Sequence, residues 1–474
     1  MSAAIHRRHT LPLAAVALLL VSQQAAFASI TAERELGDNF IREARARLPL
    51  VESYEVHGLV TELGRGIVST LGLQPFDYEF EIVADRELNA FAAPGGKVFV
   101  HAGLVARVAN EDELAGVLGH EVAHSHAHHV IRQQAKGAAA SYASLLGMLL
   151  SAVHPAFGQV ALAAGMGVRL KYQRDFEREA DFLGVGYAAK AGHDPTAMLR
   201  FLRVLHGEQQ LNPTYMPPYL FSHPLSGERM AYLEASLRKN EWQEKPVPPT
   251  WRLERARVIA RALTEKRQEV VPDYEARLAR AQGDERAKAS ELLGLLFVAG
   301  GEAASGIEHL ERAEASGRKV AAELGRAYLL DGRFAEARPR LEAALAASPG
   351  NWGMVADIGV LDFQQGRYQD AVTHLEAAVE LREGRTEILR WLGRALAKTG
   401  KRHEGFYRLA MASEREGKSA QALDYYQRAL EGLDDGNPLT EKVRERVEFL
   451  QDQMPVGPGG IPRPGPRSSK ERED

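Results

Sequence analysis

The 474-residue sequence predicts a mostly helical α+β protein in which a mixed domain with a small sheet precedes an α-solenoid. Three observations carry that expectation. Helical periodicity dominates from residue 31 onward, interrupted by strand-like patterning only between residues 76 and 104. A proline-rich stretch, PVPPT at 246–250, separates two regions of different composition. Beyond it, glycines recur at a fixed spacing.

Residues 1–28 read as a signal peptide. IHRRHT is a basic n-region, LPLAAVALLLV an apolar core of eleven residues, and Ala26 and Ala28 occupy the small-residue cleavage positions. The mature chain is expected to begin near Ser29 in an exported compartment. Residues 29–245 form the expected mixed domain. Helices are predicted at 31–47 and 52–71, separated at Pro49, and FDYEFEIVA (76–84) alternates as a half-buried strand does. NAFAAPGGKVFVHAGL (89–104) reads as a hairpin turning at Pro94-Gly95-Gly96. Asn110 caps a long helix, with Glu113 three residues on completing a capping box. The Ala/Gly-rich stretch 137–168 suits a helical hairpin packed on the protein better than a membrane hairpin, although peripheral membrane contact stays open.

Residues 246–251 are the expected linker and 252–451 the repeat region. Gly332, Gly366 and Gly400 stand 34 residues apart, each followed by Arg or Lys. Leu324, Gly325, Tyr328 and Ala344, then Ile358, Gly359, Tyr368 and Ala378, resemble the tetratricopeptide pattern of small residues where two antiparallel helices cross. A degenerate copy precedes them around Leu293 and Gly294, and another follows out of phase at Gly417. The Pro/Gly-rich tail at 452–474 cannot bury a core and is expected to be disordered.

The chemistry is concentrated in GVLGHEVAHSHAHH, residues 116–129. Cysteine is absent, so any metal must be held by nitrogen and oxygen ligands. A net charge of −4 argues against a nucleic-acid partner. Residues four apart on a helix share a face, so His120 and His124 can reach one ion. Glu121 lies about 100° away, poorly placed as a ligand but well placed to take a proton from an attacking water. The register His124–His128 has Ser125 where that base would be needed. His126, His128 and His129 are read as a polar, solvated surface of the same helix. Downstream, RDFEREADFLG (174–184) offers Glu177 as a third ligand, completing a His, His, Glu set. Asp181, one turn on, can accept the spare ring N–H of a ligating histidine.

HEVAH, followed by EREAD and preceded by NAFAAPGGKVFVHAGL, resembles the metalloprotease family of the CAAX prenyl endopeptidase and the heat-shock protease HtpX. With a signal peptide and C-terminal repeats, the likeness is closest to the periplasmic β-barrel assembly-enhancing protease group. The resemblance implies a zincin-type catalytic domain with one zinc held by His120, His124 and Glu177, and with Glu121 catalytic. It implies a periplasmic endopeptidase acting on unfolded or misassembled envelope proteins, which meets the outer-membrane assembly machinery through its repeats. A chaperone or adaptor with little proteolysis is the alternative. Asn89, Gly95 and Gly96 are candidates for shaping an edge to which substrate adds as a strand. His223, in the SHP segment, is either a packed loop residue with Arg229 in a nearby ion pair or a fourth ligand plugging the open zinc position.

Overall fold

A computed structural model of the chain describes residues 30–45, 47–136, 166–212, 219–220, 223–244, 247–381 and 385–453. Residues 1–28, expected to be a signal peptide, most of the Ala/Gly-rich stretch and nearly all of the C-terminal tail lie outside the described residues. No described helix is long and apolar enough to cross a membrane.

A first helix over residues 30–45 leads to α1 (Tyr54–Ser69), which Ser53 caps by accepting from Val56 N–H. The sheet follows: β1 (Glu79–Val83), β2 (Ala90–Ala93) and β3 (Lys97–His101), in the order β1-β3-β2. β1 runs parallel to β3, whereas β2 pairs antiparallel with it as the predicted hairpin. Alternation in β1 divides its side chains. Phe80 and Ile82 enter the main core, where the Phe80 ring fills space that a Cβ on Gly64 would need. Glu79 and Glu81 instead face Arg45, at 3.0 and 2.5 Å.

After α2 (Ala102–Arg107) comes α3 (Glu111–His126), whose first turn is capped by Asn110 accepting from Glu113 N–H at 3.0 Å. Glu113 in turn accepts from Ala109 N–H at 2.8 Å, so the capping box closes one residue earlier than expected. The histidine run does not continue on one helix. α3 ends at His126, His128 adopts a left-handed backbone (φ 54°), and α4 (His129–Lys136) starts afresh.

α5 (Met166–Lys190) carries EREAD and crosses α3 at a pair of glycines. A Cβ on Gly119 would lie 2.7 Å from the Gly184 carbonyl oxygen, and one on Gly184 would lie 2.7 Å from His120 N. Only glycine at both positions permits this approach. α6 (Ala197–Leu211) and α7 (Gly227–Lys239) pack around the crossing.

Beyond PVPPT the secondary structure of the described residues is all helical, as predicted. Gly294, Gly325, Gly359 and Gly393 each sit where a Cβ would meet a leucine of the next helix: Leu310, Leu341, Leu375 and Leu409, at 2.7–2.8 Å. The degenerate copy thus has the same helix crossing as the well-matched ones. Gly332, Gly366 and Gly400 close the turns with φ of 76°, 76° and 89°, a conformation that disfavours any Cβ. The helix Arg402–Arg415 packs on both of its neighbours, Thr386–Lys398 and Ser419–Leu430.

PVPPT does not separate two cores. One hydrophobic cluster runs from Val51 through α8 (Trp251–Thr264) to Phe297, and includes Leu253, Ala256 and Ile259. Tyr54 extends the contact, lying edge-on to Trp352 with its ring against Gly353.

Gly184→Ala should lower stability by about 1–3 kcal/mol through overpacking and reduce bound zinc, read from denaturant midpoints and metal analysis. Gly186→Ala, with nothing within 4 Å of its added Cβ, is the control and should be neutral or slightly stabilising.

Candidate metal centre

The glycine crossing places α3 and α5 so that their functional side chains converge. His120 Nε2 and His124 Nε2 stand 3.0 Å apart. Glu177 brings Oε2 to 3.4 Å from His120 Nε2 and Oε1 to 3.3 Å from His124 Nε2. His223 supplies a fourth donor: its Nδ1 is 3.2 Å from His120 Nε2 and 3.2 Å from both Glu177 oxygens. These four residues can each direct one ligand atom to a common point, all within 4.8 Å of one another. With metal–ligand bonds of about 2.0–2.1 Å, the corners of a tetrahedron stand about 3.3 Å apart. The observed separations match a tetrahedral ion of that size.

The hydrogen-bond chemistry agrees. His120 Nδ1 lies 2.9 Å from Asp181 Oδ1 and His124 Nδ1 lies 2.9 Å from His129 Nδ1. A ring that donates from Nδ1 presents a lone pair at Nε2. Two such lone pairs facing each other beside a carboxylate repel, unless a proton or a metal cation stands between them. Burial alone would depress both imidazoles. In His120 it is outweighed by Asp181 and Glu177, which raise the pKa to about 9, whereas in His124 burial prevails and holds it near 3.

Arg229 is the buried cation behind the cluster. Its Nε and Nη2 donate to the two Asp181 oxygens at 2.6 and 2.8 Å, and its Nη1 lies 2.9 Å from Glu177 Oε2. Burial opposes ionisation of Glu177, yet His223, Arg229 and His124 hold its carboxyl well below the usual range. Asp181 is lowered too, with Arg229 and His120 overcoming its burial. Arg229 also donates to the carbonyl oxygens of His223 and Pro224, at 3.3 and 3.4 Å. It therefore fixes the main chain of the SHP segment. Tyr219, fully buried, stacks on the His223 ring at 4.6 Å.

Glu121 is fully buried beside the cluster, and neither carboxylate oxygen has a hydrogen-bond partner among the described residues. His223 Nε2 lies 3.4 Å from its Oε1.

The other predicted residues fall elsewhere. Asn89 is buried just before β2, and its carbonyl accepts from His101 N–H at 3.0 Å. Gly95 and Gly96 have φ of 68° and 78° in the β2–β3 turn, packed against the first helix and Phe76. Close packing and a left-handed backbone account for both glycines, and neither approaches the donor cluster. β2 itself is an outer strand of the sheet and packs on α3.

The reading of His126, His128 and His129 as one solvated helix surface is corrected. His129 is 3% exposed, His128 pairs with the buried Glu33 at 2.6 Å, and His126 bonds Gln74 at 3.0 Å. The helix ends before angles counted along it can apply. A non-glycine residue in the left-handed turn at His128 gave no sequence signal of that end.

A helix-borne HExxH facing a glutamate from a second helix defines a zincin-type metallopeptidase centre. Residues 55–237 match the model of Peptidase family M48, and 292–352, 322–386 and 356–405 match the tetratricopeptide repeat. The chain thus carries a Peptidase family M48 domain followed by tetratricopeptide repeats. Zinc is the cofactor of that family, and this donor set fits it. The beta-barrel assembly-enhancing protease of Escherichia coli (strain K12) is 28% identical over 331 residues, covering 68% of this chain and 61% of that protein. That of Yersinia pestis is 31% identical over 227 residues, 46% of each chain. The mitochondrial metalloendopeptidase OMA1 of Schizosaccharomyces pombe is 31% identical over 177 residues, 37% of this chain and 51% of that protein. The chain spans 46% to 61% of the length of these relatives.

Metal analysis should give about one zinc per chain, sharply reduced in His124→Ala. Full retention in that variant would assign the metal to other residues. Arg229→Met should destabilise by about 3–5 kcal/mol, because two buried carboxylates lose their cation, and chemical denaturation reads the change.

Proposed function

We propose that this chain is a zinc-dependent endopeptidase of the periplasm, hydrolysing peptide bonds in misfolded or stalled envelope proteins and supporting outer-membrane protein assembly. The observation that carries this reading is Glu121. A buried carboxylate without a hydrogen bond is expensive to keep, and here it borders the convergent metal donors, 3.4 Å from His223 Nε2. A purely structural metal site has no use for it.

His120, His124 and Glu177 would hold the zinc. When bound, zinc supplies Lewis-acid polarisation of the scissile carbonyl and lowers the pKa of water to near 7. Glu121 accepts the proton of the attacking water and then delivers it to the leaving amine. Burial keeps bulk water away from that carboxylate. Asp181 and Arg229 hold His120 and Glu177 in place, so little reorganisation is needed during the reaction. β2 lies next to α3 at the edge of the sheet, where an extended peptide can add by main-chain pairing with loose side-chain specificity.

The beta-barrel assembly-enhancing proteases named above support the envelope assignment, as does the basic, apolar leader. The repeats would select partners, including the outer-membrane assembly machinery, without supplying chemistry. Because the main core continues through α8, point substitutions on the repeats test this better than truncation at residue 252 does.

A resting state with little proteolysis is favoured by one specific observation. His223 places Nδ1 at the fourth corner of the donor set, where a catalytic zinc keeps its open position. With His223 there, the site is closed to substrate until the imidazole moves. The chaperone-like alternative is then the same protein at rest.

Glu121→Gln should keep zinc while peptide hydrolysis falls by about 10²–10⁴-fold; undiminished turnover at neutral pH rules out the general-base role. His223→Ala should raise hydrolysis of an unstructured peptide such as casein, and self-cleavage, with zinc retained. Unchanged or lower activity with zinc in place would return His223 to a structural role.

A further inference from the structure

We propose that His129 is a positioning residue for the metal: its ring accepts the Nδ1–H of His124 and passes the constraint to Glu179. The proposal rests on the reading that His120, His124 and Glu177 hold zinc.

The geometry is continuous from the donor cluster to the surface. His124 Nδ1 is 2.9 Å from His129 Nδ1, and His129 Nε2 is 3.2 Å from Glu179 Oε2. Arg132 Nη1 donates to both oxygens of Glu179, at 3.1 and 3.0 Å. The His129 ring stacks on Phe176 with centroids 4.5 Å apart and planes 23° from parallel, so it cannot swing freely. His124 Nδ1 finds no other hydrogen-bond acceptor among the described residues.

One tautomer assignment fits the contacts. For His124 to offer Nε2 as a ligand, its proton must lie on Nδ1. His129 must then present a lone pair at Nδ1 and carry its proton on Nε2, facing the Glu179 carboxylate. The His124–His129 hydrogen bond is then made, and the Glu179 carboxylate, 3.2 Å from His129 Nε2 but outside hydrogen-bond alignment, attracts that N–H by charge, with both imidazoles neutral. Asp181, held by Arg229, does for His120 what His129, held by Glu179 and Arg132, does for His124. All three carboxylates of EREAD are thereby used: Glu177 toward the ion, Asp181 behind His120, and Glu179 behind His129.

The backbone is bent to make this possible. On an uninterrupted helix a residue five positions on points about 140° away, so His129 could not lie behind His124. The left-handed residue His128 (φ 54°) turns the chain back at the end of α3. That conformation costs a residue with a Cβ about 1–2 kcal/mol. The Glu33 contact at 2.6 Å and the edge-on ring of Phe76 hold it there. Strain maintained by buried partners next to a site is a mark of function.

The test is the zinc dissociation constant of the full-length protein, measured by chelator competition, with metal-free melting as a check of folding. His129→Phe keeps a flat ring against Phe176 but removes the hydrogen bond to His124 and the contact with Glu179, and should weaken zinc binding about 10–100-fold. His129→Asn keeps an acceptor near the Nδ1 position and should bind more tightly than the Phe variant, although it packs worse. A packing role gives the opposite order. Glu179→Ala, on a half-exposed residue, should weaken binding in the same direction without unfolding the chain. Wild-type affinity in a folded His129→Phe variant overturns the proposal, as does tighter binding by Phe than by Asn. If the Phe variant does not fold, wild-type affinity in Glu179→Ala overturns it. Failure of the wild type to bind zinc, or full affinity in His124→Ala, would overturn the metal reading instead.

Discussion

The contact between Gly119 and Gly184 is the constraint on which the donor cluster depends. His120 follows Gly119 directly, and Glu177 precedes Gly184 by seven residues, two helical turns, so it returns to the same face. Bringing the two backbones into contact there leaves His120, His124 and Glu177 with donor atoms 3.0–3.4 Å apart. With larger residues at the crossing, the helices would stand farther apart and the same side chains would reach only part of an ion's coordination shell. The motif HEVAH therefore specifies half a site, and two glycines outside it specify the other half.

Such closeness concentrates charge. Glu121, Glu177 and Asp181 are all nearly inaccessible to water, and among the described residues Arg229 is the arginine that pairs with Glu177 and Asp181. Burying carboxylates is tolerable only when cations and donors surround them. Arg229 belongs to the segment that also carries His223, and it bonds the His223 and Pro224 carbonyls. Compensation of the buried charge and placement of the fourth donor are thus one structural unit. Under the proposed resting state, the His223 side chain can leave the cluster by rotating while its main chain stays anchored at Arg229. Opening the site in this way need not expose the carboxylates that Arg229 neutralises.

Much of this was legible because short-range rules suffice for it. The i,i+4 pairs His120/His124 and Glu177/Asp181, the Asn110 cap, the PGG turn and the 34-residue glycine spacing each follow from local geometry. What escaped depends on contacts distant in sequence. The placement of His128 requires the buried Glu33, nearly a hundred residues earlier, and nothing in HAHH marks a left-handed turn without glycine. The tightness of the α3–α5 crossing was invisible for the same reason. Gly119 and Gly184 carry meaning only once they are known to face each other. For Gly95 and Gly96, φ and packing account for the turn they form beside β2.

The relation between the two halves of the chain shows the same limit of composition as a guide. PVPPT marks a change of residue usage, but the physical seam lies elsewhere. α8 buries Leu253, Ala256 and Ile259 in the cluster that also holds Leu114 and Leu118 of α3, and the helix Gly283–Ala299 extends it to Phe297. Only beyond that point do the hydrophobic clusters of the repeats become separate. Repeat helices stabilise one another through nearest-neighbour contacts, so the first of them serve as part of the core that supports α3. The later repeats touch the M48 domain through discrete contacts such as Tyr54 against Trp352 and Gly353. A surface built on those later repeats can vary in what it binds while the helix bearing the metal donors keeps its support, which makes loose client recognition compatible with a rigid site.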